Sequence, residues 1–345
     1  MPGGGIRRAV VIFSSLVIAA AIIAGGVYFW VEDRYRAEGP SRELISVIIP
    51  NGVGLKQIAK ILHDNSVIEY PWLFVAGARS ESAHRALKAG EYAFPAKVSA
   101  QEVVAILRAG RTVIHYVTIP EGLTSRQIVD VLKKNPGLTG VIDRLPPEGS
   151  LLPETYDYSL GDARASILRR MQKGQVKILA ILWSKRLKDS LIASPQDAVV
   201  LASIVEKETG RADERSRIAA VFLNRLRLGM RLQSDPTVAY AVTLGARNLG
   251  RFLSRKDLAV DSAYNTYRFK GLPPGPISNP GRAAIEAVLQ PMQTAELYFV
   301  ADGAGGHVFA GTLKAHNRNA VKWRRLRDAS QPASKKNNRR LFLGL

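Results

Sequence analysis

Residues 9–31 run for 23 positions without a charged side chain, broken in their apolar character only by Ser14, Ser15, Gly25, Gly26 and Tyr28. As a helix, such a segment reaches across the roughly 30 Å hydrocarbon core of a bilayer, and a chain carrying one must fold its remaining mass on one side of a membrane. A cleaved leader would have a shorter apolar core and a small-residue cleavage site, whereas this run ends in Tyr28, Phe29 and Trp30, which suit the far interface. The expectation is therefore an uncleaved single-pass anchor. Arg7 and Arg8 flank its inner end, and Glu32 and Asp33 join Arg34 and Arg36 beyond the outer end, so the positive-inside rule puts residues 32–345 outside the cytoplasm.

That topology decides what the charge means. With 49 Lys and Arg against 29 Asp and Glu the chain carries a formal charge of +20, which alone would suit nucleic acid, anionic lipid or an acidic polymer. An extracytoplasmic position excludes most DNA and RNA functions. The absence of cysteine excludes disulfides, thiolate nucleophiles and Cys-bound zinc. His63, His84, His115, His307 and His316 form neither a close pair at metal-ligand spacing nor an HExxH pattern, so no metal and no cofactor is expected.

After a polar linker, a repeat emerges. Val47-Ile-Ile-Pro-Asn-Gly, followed by Gln57-Ile58 and Ile61-Leu62, returns as Val117-Thr-Ile-Pro-Glu-Gly with Gln127-Ile128 and Val131-Leu132. Each copy reads as strand, turn and amphipathic helix, with Gly52 and Gly122 in the turns, and a weaker third copy runs from Tyr92 to a helix near residues 100–107. A duplicated packing unit and an extracytoplasmic binding module both fit this pattern.

The strongest local specification lies at residues 194–210. Ser194 can cap a helix, Pro195 fits its first position, Asp197 completes a capping-box-like pattern and Gly210 supplies a stop. Between Ala198 and Val205 only Ser203 is polar, so this helix is apolar all round and belongs inside a core. Glu206 follows at once. It shares a face with the small residues Ala202 and Ser203, while Glu208 points elsewhere. Partial burial and the negative end of the helix dipole would both raise its pKa, as a general acid requires; a solvated helix end is the plainer alternative.

Around this helix, residues 162–191 read as a long basic amphipathic helix or helical pair, and Ile218, Val221, Phe222 and Leu226 mark another that stops near Gly229. Asp235 before Pro236 is more simply an N-cap than a catalytic acid. Tyr264 and Tyr267 fit core packing or a sugar face equally. A stiff Gly/Pro loop at residues 271–281 precedes a helix near Asn279-Pro280 and could rim a cleft. Tyr298 and its neighbours, with Gly303, Gly305 and Gly306, suggest a hairpin. Ten Lys or Arg and one acid in residues 314–345 make a basic tail, solvated or in contact with anionic lipid or wall polymer.

Leu201-Ala-Ser-Ile-Val-Glu-Lys-Glu-Thr, Val221-Phe-Leu-Asn-Arg-Leu, Met230-Arg-Leu-Gln-Ser-Asp-Pro-Thr-Val, Tyr264-Asn-Thr-Tyr and Gly271-Leu-Pro-Pro-Gly-Pro-Ile together resemble the YceG-like (MltG) family of endolytic murein transglycosylases. The likeness spans nearly everything after the linker, with departures at Leu152, where the family often has Phe, and at Ala315, where Glu is frequent. It implies an α+β protein: cytoplasmic residues 1–8, a transmembrane helix 9–31, a linker 32–43, a small LysM-like module 44–112, a mainly helical catalytic domain with short strands 113–320, and the tail 321–345. It also implies an inner-membrane enzyme that cuts nascent peptidoglycan strands between MurNAc and GlcNAc, leaving a 1,6-anhydroMurNAc end, with peptidoglycan synthases as neighbours.

Glu206 matches the family's catalytic glutamate. Gln233, Ser234, Asp235, Tyr264, Asn265 and Thr266 fall in motifs expected near the cleft, as does Glu154 in Gly149-Ser-Leu-Leu-Pro-Glu-Thr-Tyr. A hydrolase would need a second carboxylate, for which Asp235, Asp213 and Glu214 are available, and a wall-binding scaffold would need none.

Overall fold

A computed structural model describes residues 4–83 and 87–330, with side chains from residue 12 to residue 327 apart from that gap. The chain is mixed, mainly helical with short strands, and divides into two compact units: Met1–His115 with Asp157–Gly161, and Tyr116–Tyr156 with Asp162–Leu345.

The first unit begins with helix α1 (Gly4–Arg36), whose stretch Ile12–Arg36 is long and apolar enough to cross a membrane. Its large side chains, among them Phe13, Leu16, Ile22 and Phe29, are exposed, an arrangement that water would penalise and lipid would not. Past that stretch's apolar part the helix enters the unit's own core. Tyr35 is buried, donates to Glu81 at 2.8 Å and lies against Cα of Gly77, while Trp30 stacks on Trp72 at 6.4 Å. Strand β1 (Ile45–Ile49), α2 (Leu55–Asp64), α3 (Pro71–Ser80), β2 (Gly90–Phe94) and α4 (Ala100–Ala109) follow.

β1 and β2 pair antiparallel, with Ile45 opposite Phe94 and Val47 opposite Tyr92. The period-2 alternation puts Val47, Ile49, Tyr92 and Phe94 into the core, where Leu62, Phe74, Val104 and Leu107 meet them. α4 starts from a complete capping box between Ser99 and Glu102.

The second repeat becomes β3 (Ile114–Thr118) and α5 (Ser125–Lys134), the latter opened by a capping box of Thr124 and Gln127. All three copies are thus strand, turn and helix. β3 forms a two-stranded sheet with β4 (Thr155–Ser159).

The second unit is built round α7 (Pro195–Glu208), packed by α6 (Arg164–Ser184), α8 (Arg215–Arg227) and α11 (Arg282–Leu289). Residues 198 to 205 are buried without exception, as an all-apolar helix requires. Burying Leu201, Ile204 and Val205 stabilises the fold by about 2 kcal/mol per side chain. Ser194 caps α7, accepting the Asp197 N–H at 3.1 Å. The stop differs from expectation: Thr209, extended at φ −142°, breaks the helix before Gly210 is reached, and its hydroxyl accepts the Arg211 N–H and donates to Glu214. Residues 162–191 resolve into one helix, α6. α9 (Asp235–Thr243), the single turn α10 (Arg255–Leu258), the hairpin of β5 (Tyr298–Ala301) and β6 (His307–Ala310), and α12 (Leu313–Ser330) complete the unit. α12 carries helix through position 321, where the tail was expected to begin, and the rest of that tail from 331 lies outside the described residues.

Candidate active site

Glu206 sits in the last turn of α7, its side chain only 3% exposed. Buried carboxylates need donors, and it has two. Oε2 accepts the backbone N–H of Gly281 at 2.8 Å, and Oε1 faces Nη2 of Arg215 at 3.3 Å. Gly281 is the N-cap residue of α11, so the carboxylate lies at the positive end of that helix. Arg215 is the first residue of α8, an end where the helix dipole disfavours a cation. The same Nη2 lies 3.2 Å from Oε2 of Glu121, so two carboxylates hold this guanidinium against the local field.

These contacts pull the Glu206 pKa in opposite directions. Burial raises it and is the largest influence; the Gly281 N–H lowers it, Glu121 raises it by repulsion, and Arg215 lowers it. The outcome is a carboxyl held above its ordinary value, the direction a general acid requires.

Three segments position the acid. The turn carrying Glu121 and Gly122 is stitched to residues 277–281: Gly122 donates to the Asn279 carbonyl at 3.0 Å and Asn279 to the Leu123 carbonyl at 2.8 Å. Asn279, fully buried, accepts the Leu151 N–H and donates to Leu123 O, Ser125 Oγ and Glu148 Oε1. Glu148 also takes the Ser125 N–H at 2.7 Å, and burial raises its pKa against these bonds. Ser203, one turn before Glu206, accepts the Ile277 N–H at 3.0 Å. The small residues beside Glu206 therefore admit the 277–281 loop: Ala202 and Ser203 are fully buried.

The other sequence candidates fall in two groups. Ser234, Asn265 and Thr266 are buried and engaged internally: Thr266 Oγ1 accepts the Ser234 N–H and pairs with Thr237, Asn265 donates to the carbonyls of Leu258 and Val260, and Ser234 donates to Glu208 at 2.5 Å. Their geometry is that of scaffold, without a surface for a ligand. Gln233, Asp235 and Glu154 are exposed. Gln233 holds a left-handed backbone at φ 52°, and Asp235 accepts the Tyr267 hydroxyl at 2.6 Å. The N-cap of α9 is Ser234, so Asp235 is the first helical residue and not the cap. Tyr264 is half-buried against Tyr240, ring centres 4.9 Å apart. Glu206 hydrogen-bonds to Gly281 and Arg215 and to neither Gln233 nor Tyr264.

Of the carboxylates named for hydrolysis, Asp213 is held by Arg211, Glu214 by the backbone and ring of His307, and Asp235 by Tyr267. Glu121, Arg215 and Glu148 were missed. An Arg at a helix start and an acid in a turn that already had a packing explanation were the available signals. Among the described residues no three His, Asp or Glu side chains converge to hold a metal ion.

The YceG-like family matches residues 47–322. An endolytic murein transglycosylase of Bacillus subtilis is 31% identical over 334 residues, which cover 88% of this chain and 91% of that protein. One from Streptococcus pneumoniae is 28% identical, covering 90% of this chain and 64% of the longer relative. A solved yceG-like protein of Listeria monocytogenes is 33% identical over 81% of this chain and 99% of its own, with a TM-score of 0.49.

Proposed function

Because this chain belongs to the YceG-like family, we propose that it is an endolytic lytic transglycosylase which cuts nascent peptidoglycan strands between MurNAc and GlcNAc and so ends their elongation. Glu206 carries the chemistry. Its proton passes to the glycosidic oxygen as the bond from C1 of MurNAc breaks, and the resulting carboxylate takes the proton of the same sugar's C6 hydroxyl. O6 then bonds to C1, which closes the 1,6-anhydro ring and returns Glu206 to its starting state. No water is consumed and no protein nucleophile is needed.

The observation that supports this most is one carboxyl, buried and raised in pKa, bonded to a backbone N–H at a helix start. Fixed donors stabilise the carboxylate as it forms, and burial stabilises the acid before it does. Gln233, Asp235, Tyr264 and Glu154 are the candidates for touching sugar; Ser234, Asn265 and Thr266 would act by holding the 233–235 turn.

We assign residues 44–112 to a LysM-like glycan-binding module and 113–320 to the catalytic domain. Support for the module is the order β1, α2, α3, β2 closing on an antiparallel pair. The apolar helix α1 is compatible with a single-pass anchor; with Arg7 and Arg8 inside, the catalytic part would face the periplasm or wall from the inner membrane, beside peptidoglycan synthases.

Hydrolysis is a second reading because Glu121 shares Arg215 with Glu206, which gives a second carboxylate at short range. Mass spectrometry of fragments made by the full-length protein in detergent decides between them. Anhydro-muramyl ends from the wild type, abolished in a folded Glu206→Gln variant, are the expected result; reducing ends would indicate a muramidase, and no cleavage a scaffold.

A further inference from the structure

A groove of about 320 Å³ runs between α9 and residues 245–253, and Lys207 closes one side of it. That volume is in the range of small-ligand clefts. The groove and the acid are neighbours across one residue: a Cβ on Gly122 would meet Lys207 at 3.4 Å and Glu206 at 3.5 Å.

Phe252, on the rim, is 93% exposed. A ring so placed contributes nothing to a core, yet its loop is firmly tied. Arg251 grips Asp257 through both nitrogens, Asp257 completes a capping box with Ser254, and Arg251 also donates to the Phe252 carbonyl at 3.0 Å. The loop backbone is thus tied while the ring projects into water, an arrangement suited to stacking on a flat apolar surface such as a saccharide face. Three cations line the groove, of which Arg251 is engaged by Asp257. Arg247 is exposed and makes no ion pair among the described residues, and Lys207 bonds only to the Gly122 carbonyl at 3.2 Å. Asp235, the one acid lining it, is engaged by Tyr267. Asn248 is fixed by Gln127 at 3.0 Å, which sets the loop's other end.

We propose that this groove is a glycan subsite in which Phe252 stacks on a saccharide ring while Arg247, with Lys207, takes a carboxylate borne by a substituent of the strand. The proposal deepens the transglycosylase reading and rests on it. It assigns the groove to strands that still carry their acidic stem peptides.

The test is steady-state cleavage by the full-length protein in detergent, on strands whose stem peptides keep their free carboxylates and on the same strands with those carboxylates amidated. Phe252→Ala should raise KM roughly fivefold on both substrates with kcat nearly unchanged. Arg247→Ala should raise KM on the strands with free stem-peptide carboxylates alone. Unchanged KM in Phe252→Ala overturns the stacking role, and an equal effect of Arg247→Ala on both substrates overturns the carboxylate role. If the wild type cleaves nothing, the transglycosylase reading has failed, and the groove is then judged by calorimetric binding of the same strands to wild type and Phe252→Ala. Equal affinity there overturns the subsite, as does a loss by Arg247→Ala confined to anionic lipid vesicles. Thermal unfolding of both variants should match the wild type, because both side chains are exposed.

Discussion

Glu206 and Glu121 meet at a single nitrogen, Nη2 of Arg215, at 3.3 and 3.2 Å. The acid proposed to move the proton is therefore coupled to a second carboxylate that is 41% exposed and to a cation that is nearly buried. After burial and the Gly281 N–H, these two charges set the proton affinity of Glu206, one raising it and one lowering it.

Opposite changes in pH profile should follow. Activity needs protonated Glu206, so kcat/KM falls as pH rises through its pKa in the free enzyme. Glu121→Gln removes a repulsion and should move that basic limb to lower pH. Arg215→Gln removes an attraction and should move it to higher pH, with a lower maximum because the forming carboxylate loses a donor. A limb that moves the same way in both variants would show that Glu206 does not govern it.

Gly281→Ala should reproduce the effect of Glu121→Gln. The backbone at Gly281, φ −76° and ψ 172°, is open to any residue, but a Cβ there would collide with the Glu121 carboxyl. Glu121 is exposed enough to swing aside, leaving Arg215 to Glu206 alone. The Gly281 N–H is kept, so the fold should lose less than about 1 kcal/mol while the basic limb falls in pH. Profiles of the single and double variants check this: Glu121→Gln added to Gly281→Ala should shift the limb no further.

Asn279 should be the costliest polar residue of the site to remove. It satisfies Leu151 N–H, Leu123 O, Ser125 Oγ and Glu148 from a fully buried position. Asn279→Ala leaves a buried N–H and a buried carboxylate short of partners, which costs about 3 kcal/mol. Asn279→Asp should be worse at neutral pH, because it faces Glu148 with a second negative charge, and should recover in acid as one carboxyl protonates. Thermal unfolding of both variants at pH 5 and pH 8 measures the difference.

Much of this arrangement was legible before the structure. The run from Ala198 to Val205 demanded a buried helix, and the Ser-Pro signature fixed where α7 begins, because caps are local chemistry. The partners of Glu206 were not legible. Gly281 lies 75 positions away and Glu121 lies 85 positions from the acid; loop closure brings them together, and no local spacing encodes it. Burial misled in the other direction. Asn265 and Thr266 sit in a motif that looks like a polar cleft, yet their side chains go to Leu258, Val260, Ser234 and Thr237. A polar residue in a loop can serve the backbone as readily as a ligand, and sequence alone does not separate the two.

Glu208 should make the second unit less stable as pH rises. Its carboxyl takes the Ser234 hydroxyl as hydrogen-bond donor, and burial is the main reason its pKa is pushed up to about 7, with Asp235 adding repulsion and Ser234, His307 and Arg225 opposing. The native state therefore keeps a proton that the unfolded chain, near the ordinary value of 4.5, has already lost. Stability from this group is complete below the unfolded value and declines as pH climbs from there to about 7. The loss amounts to about 3 kcal/mol. Glu208→Gln preserves an acceptor for Ser234 and removes the titration, so its unfolding midpoint should change much less between pH 5 and pH 8 than that of the wild type. Equal pH dependence in the two proteins would show that Glu208 is ionised in the folded state throughout this range.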